Sequence, residues 1–248
     1  TFESMNKIIC LWSCPRNIST ALMYSFAQRD DTRVFDEPLY GHYLSKTNAK
    51  RYHPSADLII NSMECNGSKV INHMAEAESA EVLFFKNMTH HLLDLDKSFM
   101  KKGTNVILTR NPEEMLPSFH KVIPNPTIND VGYKAHFDLI REFEENNTDY
   151  VVMDSKMILE NPEQELKRLC KHANIPFRSE MLSWRTGPRL EDGIWAKHWY
   201  HNVHHSTGFM KYKKKTEKFP SELLPLLSFL YNNPNVFPGN GVSSTILP

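Results

Sequence analysis

The chain has 248 residues, 40% of them apolar, and its 29 basic residues balance 29 acidic ones, so the net charge is zero. That is enough apolar material for one globular domain, or a domain with a small subdomain. The balance argues against nucleic acid or an anionic membrane as the main partner, since both demand a basic excess. The one dense basic run, Lys211 to Lys218, reads as a solvated segment.

In chain order, a buried strand is predicted at Ile8 to Trp12. It meets the polar turn Ser13-Cys14-Pro15-Arg16-Asn17-Ile18-Ser19-Thr20, and a helix follows from Ala21 to Gln28. The first amides of a helix have no partners inside it and sit at the positive end of its dipole, so such a turn suits an anion. Arg16 adds a planar charged fork, and Ser19 and Thr20 add hydroxyls. A second strand, Arg33 to Phe35, ends at Asp36-Glu37-Pro38. A third, Val82 to Phe85, ends at Lys86, with a helix expected from Met88 to Met100. A fourth, Asn105 to Leu108, leads to Arg110, and helices are expected at Glu113 to Lys121 and Asp130 to Glu145. The fifth, Tyr150 to Met153, stops at Asp154, and a helix follows from Pro162 to His172. Asn111-Pro112-Glu113 and Asn161-Pro162-Glu163 are helix starts, with a capping Asn, Pro in the first turn and an acid against the dipole.

Short, nearly continuous apolar strands alternating with helices predict an α/β fold, a three-layer sandwich around a mostly parallel sheet. In such a fold ligands bind beyond the carboxyl ends of the strands. The Arg16 turn, Lys86 and Arg110 all fall there. From Pro176 onward the strand signal fades, so residues 176–248 read as a C-terminal flap that closes a single domain spanning 5–248, with a helix near Ser221 to Tyr231. Cys10, Cys14, Cys65 and Cys170 form neither a CxxC pair nor a disulfide scaffold, which fits a reducing compartment. No apolar stretch has membrane-spanning length, and Glu3 and Lys7 precede an apolar run too short for a signal peptide. The cytoplasm is the expected location. The sequons at Asn17 and Asn87 lie in the expected site, where glycans would block it.

Two generic chemistries are weighed first. A P-loop kinase or nucleotidase would need GxxxxGK[ST], but the turn has no Gly and no Lys before Ser19; Asp154 imitates the metal-holding acid of that class. A non-catalytic nucleotide-binding module is the other alternative. His198, His201, His204 and His205 are spaced closely enough for zinc, yet no Cys lies near and HExxH is absent, so no metal is expected.

Pro15-Arg16-Asn17-Ile18-Ser19-Thr20 resembles the 5′-phosphosulfate loop of sulfotransferases that use 3′-phosphoadenosine 5′-phosphosulfate (PAPS). Thr109-Arg110-Asn111-Pro112 with Ser118, eight residues past Arg110, is similar to the strand end and helix of that family that bind the 3′-phosphate. Val82 to Lys86 with Thr89-His90-His91, Tyr150 to Asp154, and Gly193-Ile194-Trp195-Ala196-Lys197 extend the likeness. The resemblance implies a P-loop NTPase-like fold and in-line sulfuryl transfer from PAPS, without a metal, leaving adenosine 3′,5′-bisphosphate. It places Arg16, Asn17, Ile18, Ser19, Thr20, Arg110, Ser118, Trp195 and Lys197 around the donor, and Arg16 and Lys86 at the transferred group. Ile18 stands where the family has Gly, which suggests a different backbone path.

The base is either Glu37, 21 residues beyond Arg16, or one of His90 and His91. Glu37 keeps the spacing of the carboxylate used in some branches, whereas two extra residues displace the histidines. The acceptor is expected to be a small molecule, walled by Trp184, Trp195, Trp199, Tyr200 and Phe209. Asp36 and Glu37 suggest a cationic one, such as an amine or guanidine natural product. The oligomeric state is open.

Overall fold

The computed structural model describes residues 6–233, apart from 78, 215 and 217. Its centre is a parallel sheet of β1 (Lys7–Ser13), β2 (Thr32–Asp36), β3 (Val82–Met88), β4 (Thr104–Thr109) and β5 (Tyr150–Asp154), in the order β2-β3-β1-β4-β5. The helices are α1 (Ser19–Phe26), α2 (Tyr40–Lys46), α3 (Ala56–Ser62), α4 (Gly67–Glu76), α5 (Pro112–His120), α6 (Ile128–Val131), α7 (Tyr133–Glu145), α8 (Ser155–Glu160), α9 (Pro162–His172), α10 (Ala196–Trp199), α11 (His201–His204) and α12 (Leu224–Asn232). The α/β fold with a parallel central sheet is as the alternation predicted.

Alternation along β1 builds the layers. Ile9 and Leu11 face Leu22, Met23 and Phe26 of α1 and Leu166 and Leu169 of α9. Cys10 and Trp12 face the other way, against Val70 and Ile71 of α4 and Leu139 and Phe143 of α7. A strand buried on both faces must be apolar at consecutive positions, which is why these runs lack a polar alternate. At roughly 1.5–3 kcal/mol for each fully buried large side chain, the two clusters dominate the stability of the domain.

Three helical expectations change. No helix spans Met88 to Met100. β3 runs on to Met88, which pairs with Ser13, and a 3₁₀ turn covers Thr89–His91. Asp94 then turns left-handed at φ 51°, and Asp96 accepts hydrogen bonds from the Ser98 amide and hydroxyl to open a second 3₁₀ turn, Ser98–Lys102. Local Asp bonding to the backbone outcompetes apolar spacing here. The expected helix Asp130 to Glu145 is cut by Gly132 at φ 77°, where a Cβ would sit 3.2 Å from Nδ1 of His90. Finally, residues 40–76, given no element from the sequence, hold three short helices, α2 to α4.

The strands deliver their carboxyl ends to one edge. Asp36 and Lys86 are register partners on β2 and β3, and Ser13 of β1 pairs with both Met88 and Leu108. In the C-terminal segment Ser183 and Gly208 form an isolated bridge, and the end of α10 reaches this edge through the Trp199 carbonyl and the Tyr200 hydroxyl. Residues 234–248 of the expected domain lie outside the described residues.

Candidate active site

The turn after β1 takes the backbone path of a glycine loop without a glycine. Arg16 has φ 56° and Ile18 has φ 67°. For a β-branched residue the left-handed region is a steric outlier costing about 1–2 kcal/mol, so the fold must impose it. The pins are visible. Asn17, fully buried, donates from Nδ2 to the Leu108 carbonyl at 2.5 Å, and the Ser155 hydroxyl lies 2.8 Å from the carbonyls of both Asn17 and Thr109. Ile18 stands at the N-cap of α1 with no side-chain cap, so the leading amides of that helix are not closed by a side chain. Ile18 thus holds a left-handed conformation that glycine adopts freely, at the cost of strain. Asn17 and Asn87 are both fully buried, so neither sequon is accessible in the folded protein.

Two guanidinium groups meet beside this turn. Arg16 donates from Nε to Oγ of Ser118 at 3.1 Å and from Nη1 to the Trp199 carbonyl at 2.7 Å. Arg110 donates from Nη1 to the Arg16 carbonyl at 2.7 Å. Burial, and then the charge of Arg110, holds the Arg16 pKa below its ordinary value. Like charges held together in this way favour an anion between them. Arg16 of the turn after β1, Arg110 just past β4 and Ser118 of α5 line the same cavity, and Ser118, expected beside Arg110, bonds Arg16, which was expected at the other end of the donor.

The opposite side of the site is a buried ion-pair network. Lys86 Nζ donates to Asp36 Oδ1 at 2.8 Å, Glu37 Oε1 at 2.6 Å and the Tyr200 hydroxyl at 2.6 Å. Tyr200 in turn donates to Asp36 and accepts from Trp195 Nε1 at 3.0 Å, while the Gly193 amide donates to Asp36 Oδ2. An ammonium has three donors, and all three are engaged. Burial opposes the charge on Lys86, but Asp36 and Glu37 outweigh it and raise its pKa. Burial raises the pKa of Glu37, with Lys86 opposing.

One cavity of about 350 Å³ joins the two sides, lined by the Pro15–Ala21 turn, Arg110 and Ser118 at one end and Glu37, Lys86 and His90 at the other. The middle wall holds His53, His91 and Tyr40. His91 stacks on Tyr43 with centroids 4.5 Å apart and on Tyr40 at 5.0 Å, and His53 Nδ1 meets the Tyr40 hydroxyl at 2.7 Å. Burial first, then neighbouring His53, pushes the His90 pKa down to about 3, and burial brings His53 to about 4. Both are neutral at pH 7. Buried nitrogens His53 Nε2, His90 Nδ1 and His91 Nδ1 have no protein hydrogen-bond partner.

Other expected residues lie elsewhere. Trp195 is buried behind Tyr200, and Lys197 is exposed on α10; neither reaches the cavity, and Trp199 and Tyr200 do. Trp184 packs on Tyr24 and Phe209 outside it, whereas Phe209 lines it. Asp154 caps α8, accepting from the amides of Lys156 and Met157, which gives the mimic of a metal acid a structural role. The clustered histidines do not converge as one set: His198 contacts Ser55, His204 contacts Asp192, and His205 contacts the His201 carbonyl, with their rings 4.4 Å apart. Among the described residues no three His, Cys, Asp or Glu side chains group as metal ligands. Tyr200 lines the cavity as expected, but the sequence did not show its bonds to Lys86 and Asp36, the role of Tyr212 or the presence of Lys211 and Lys213 on the cavity wall. The two lysines had a signal, a basic run beside Phe209, but nothing in the sequence paired Tyr200 with Lys86.

Over residues 6–219 the chain matches the model of a sulfotransferase domain family. It belongs to that family. It is 40% identical over 89% of its length to branched-chain-amino-acid aminotransferase-like protein 1 of Arabidopsis thaliana, and 37% identical over 90% to protein 2 of the same name. The chain spans only about two fifths of either relative, 40% and 41%. Its fold is shared by the sulfotransferase domain from the curacin biosynthetic pathway, at a TM-score of 0.53 and 15% identity over 92% of this chain and 98% of that one. It is also shared by the sulfotransferase domain of the Synechococcus PCC 7002 olefin synthase, at 0.51 and 15% over 92% and 95%. Among the described residues of this sulfotransferase domain, no helix is long and apolar enough to cross a membrane.

Proposed function

We propose that the domain moves a sulfuryl group from PAPS to a hydroxyl or amine of a small-molecule acceptor. The observation that carries this reading is the junction of Arg16, Ser118 and Arg110 on one cavity wall, tied by bonds of 3.1 and 2.7 Å. A 5′-anion site at the start of α1 and a second anion site at Arg110 and Ser118 fit a nucleotide charged at both its 5′ and 3′ positions. Arg16, Asn17, Ile18, Ser19 and Thr20 would hold the 5′ end, the hydroxyls and amides at the anion and Asn17 through its backbone. The lysines at 211 and 213 face the same cavity.

Glu37 is the better base. It lines the cavity as a carboxylate whose pKa is lifted by burial, and so takes a proton more readily than an ordinary one. His90 also faces the cavity, but a ring nitrogen with a pKa of about 3 accepts a proton poorly at pH 7. Lys86 acts by holding Glu37 and Asp36, since its three hydrogens are already engaged, and Arg16 is left as the cation nearest the transferred group. An in-line transfer then needs the acceptor oxygen or nitrogen between Glu37 and the Arg16 turn. Charge alone suggested a cationic acceptor, but Asp36 and Glu37 are answered by Lys86 and Tyr200. The polar groups facing the chamber from His53, His90 and Tyr40 are neutral, which favours an uncharged acceptor.

The test is thermal. Adenosine 3′,5′-bisphosphate should raise the melting temperature at micromolar concentration, with or without Mg²⁺, and Arg110→Ala should abolish most of that rise. A response to ATP with Mg²⁺ but none to the bisphosphate would support the P-loop kinase reading instead. Binding of the bisphosphate with no sulfated product across a mass-detected acceptor screen would leave a nucleotide-binding module.

A further inference from the structure

Glu114 lies four residues after Arg110 and four before Ser118, on the stripe of α5 that carries Ser118. Its Oε2 accepts from both Nε and Nη2 of Arg110, each at 3.3 Å. Both bonds are long for a charge-assisted pair and share one oxygen, so the guanidinium fork is held without a bidentate match. Oε1 accepts from the hydroxyl of Tyr212 at 2.5 Å. Tyr212 belongs to the segment that lines the cavity with Gly208 and Lys211, and Lys156 sits 5.2 Å over its ring. The Arg110 and Glu114 side chains are 16% and 15% exposed, so solvent screens this pair only in part.

We propose that Glu114 sets the strength with which the site reads a nucleotide 3′-phosphate, because its carboxylate and that phosphate claim the same Arg110 guanidinium. The inference rests on the donor reading given above. A phosphate offers Arg110 a fork-to-fork pair that the single Glu114 oxygen does not, and Ser118 adds a hydroxyl to it. The fixed negative charge one helical turn from Ser118 opposes the phosphate, and the Tyr212 hydrogen bond draws part of that charge away from Arg110. Glu114 thus lowers affinity for the 3′-phosphate, and Tyr212 moderates the effect while tying the C-terminal segment to α5.

The experiment titrates the full chain calorimetrically with adenosine 3′,5′-bisphosphate and with adenosine 5′-monophosphate, and compares the ratio of the two affinities. Glu114→Gln keeps the shape and the bond to Tyr212 but removes the charge, so the ratio should rise at least about fivefold through the bisphosphate alone. Tyr212→Phe leaves the carboxylate to Arg110 and should lower the ratio about twofold or more. Should Glu114→Gln prove unstable by its melting curve, Glu114→Ala must move the ratio in the same direction. An unchanged or reduced ratio in the charge-removing variant overturns the role of Glu114, and an unchanged ratio in Tyr212→Phe overturns that of Tyr212. A wild-type protein that binds both nucleotides alike overturns the donor reading itself.

Discussion

Replacing Lys86 with Met tests the buried network directly. The ammonium is fully buried between Asp36 and Glu37, whose side chains are 1% and 7% exposed, and it donates three bonds of 2.6 to 2.8 Å. Met fills nearly the same volume, so the cavity cost is small, and the loss is that of stranding two carboxylates away from water. Removing one partner of a buried ion pair costs roughly 3–5 kcal/mol, and about 4 kcal/mol is expected at pH 7.5, a large share of the about 5–15 kcal/mol that holds a domain together. The loss depends on pH. Without Lys86, the main opposition to the burial that already raises the Glu37 pKa is gone, so the folded variant binds a proton more tightly than the unfolded chain does. When the native state holds the extra proton, stability falls as pH rises from the unfolded pKa through the folded one. The variant should therefore recover about 1–2 kcal/mol between pH 7.5 and about pH 5, a larger recovery than that of the wild type, where Lys86 limits the rise of the Glu37 pKa. Urea unfolding followed by circular dichroism at both pH values measures it. A loss below about 1 kcal/mol that is the same at both pH values would refute the assignment of a buried, charged clamp.

Three further outcomes follow from the same geometry. Glu37→Gln should lower turnover at saturating donor by about 10²-fold or more, while His90→Ala changes it by less than about tenfold; the opposite ranking, read with any acceptor the screen yields, would move the base to His90. At the strained turn the usual order of substitutions should invert. Ile18→Gly relieves left-handed strain worth about 1–2 kcal/mol and Ile18→Ala does not, so in thermal unfolding the glycine variant should be the more stable of the two. An alanine variant more stable than the glycine one would show that the φ of 67° is not strained. Asp154→Asn should keep the α8 cap and change stability by less than about 0.5 kcal/mol, against about 1 kcal/mol for Asp154→Ala. The bisphosphate-induced shift in melting temperature should survive Asp154→Asn, and its loss would restore a role for Asp154 in the site.

The five strands and the residues at their carboxyl ends were legible because a strand buried on both faces leaves a continuous apolar run, and a run that short has one place to end. Arg16, Lys86 and Arg110 could be placed on that basis, whereas Ser118 was implied by the family resemblance, and helix geometry is consistent with its eight-residue step. Local chemistry misled where it was read by period alone: Asp94 and Asp96 undo the helix expected after Lys86, and Gly132 cuts the one expected after Asp130. Ile18 inverted the usual inference, since the sequence showed no glycine and the backbone adopted a glycine conformation regardless. Asn17, Leu108 and Ser155 enforce that path, and they lie far apart in the chain.

What the sequence determined by itself is the frame: a parallel α/β sheet, an anion turn after its first strand, and an Arg and a Ser eight residues, about two helical turns, apart. Tertiary structure alone decided who partners whom. It joined Arg16 to Ser118, carried Tyr200 across from the C-terminal segment to close on Lys86 and Asp36, and set Glu114 between Arg110 and Tyr212. The physical reason is the range of the forces. Hydrophobic periodicity and capping are fixed by neighbours within a turn or two, whereas a buried charge must find its counter-charges wherever folding brings them, and no local pattern records that choice.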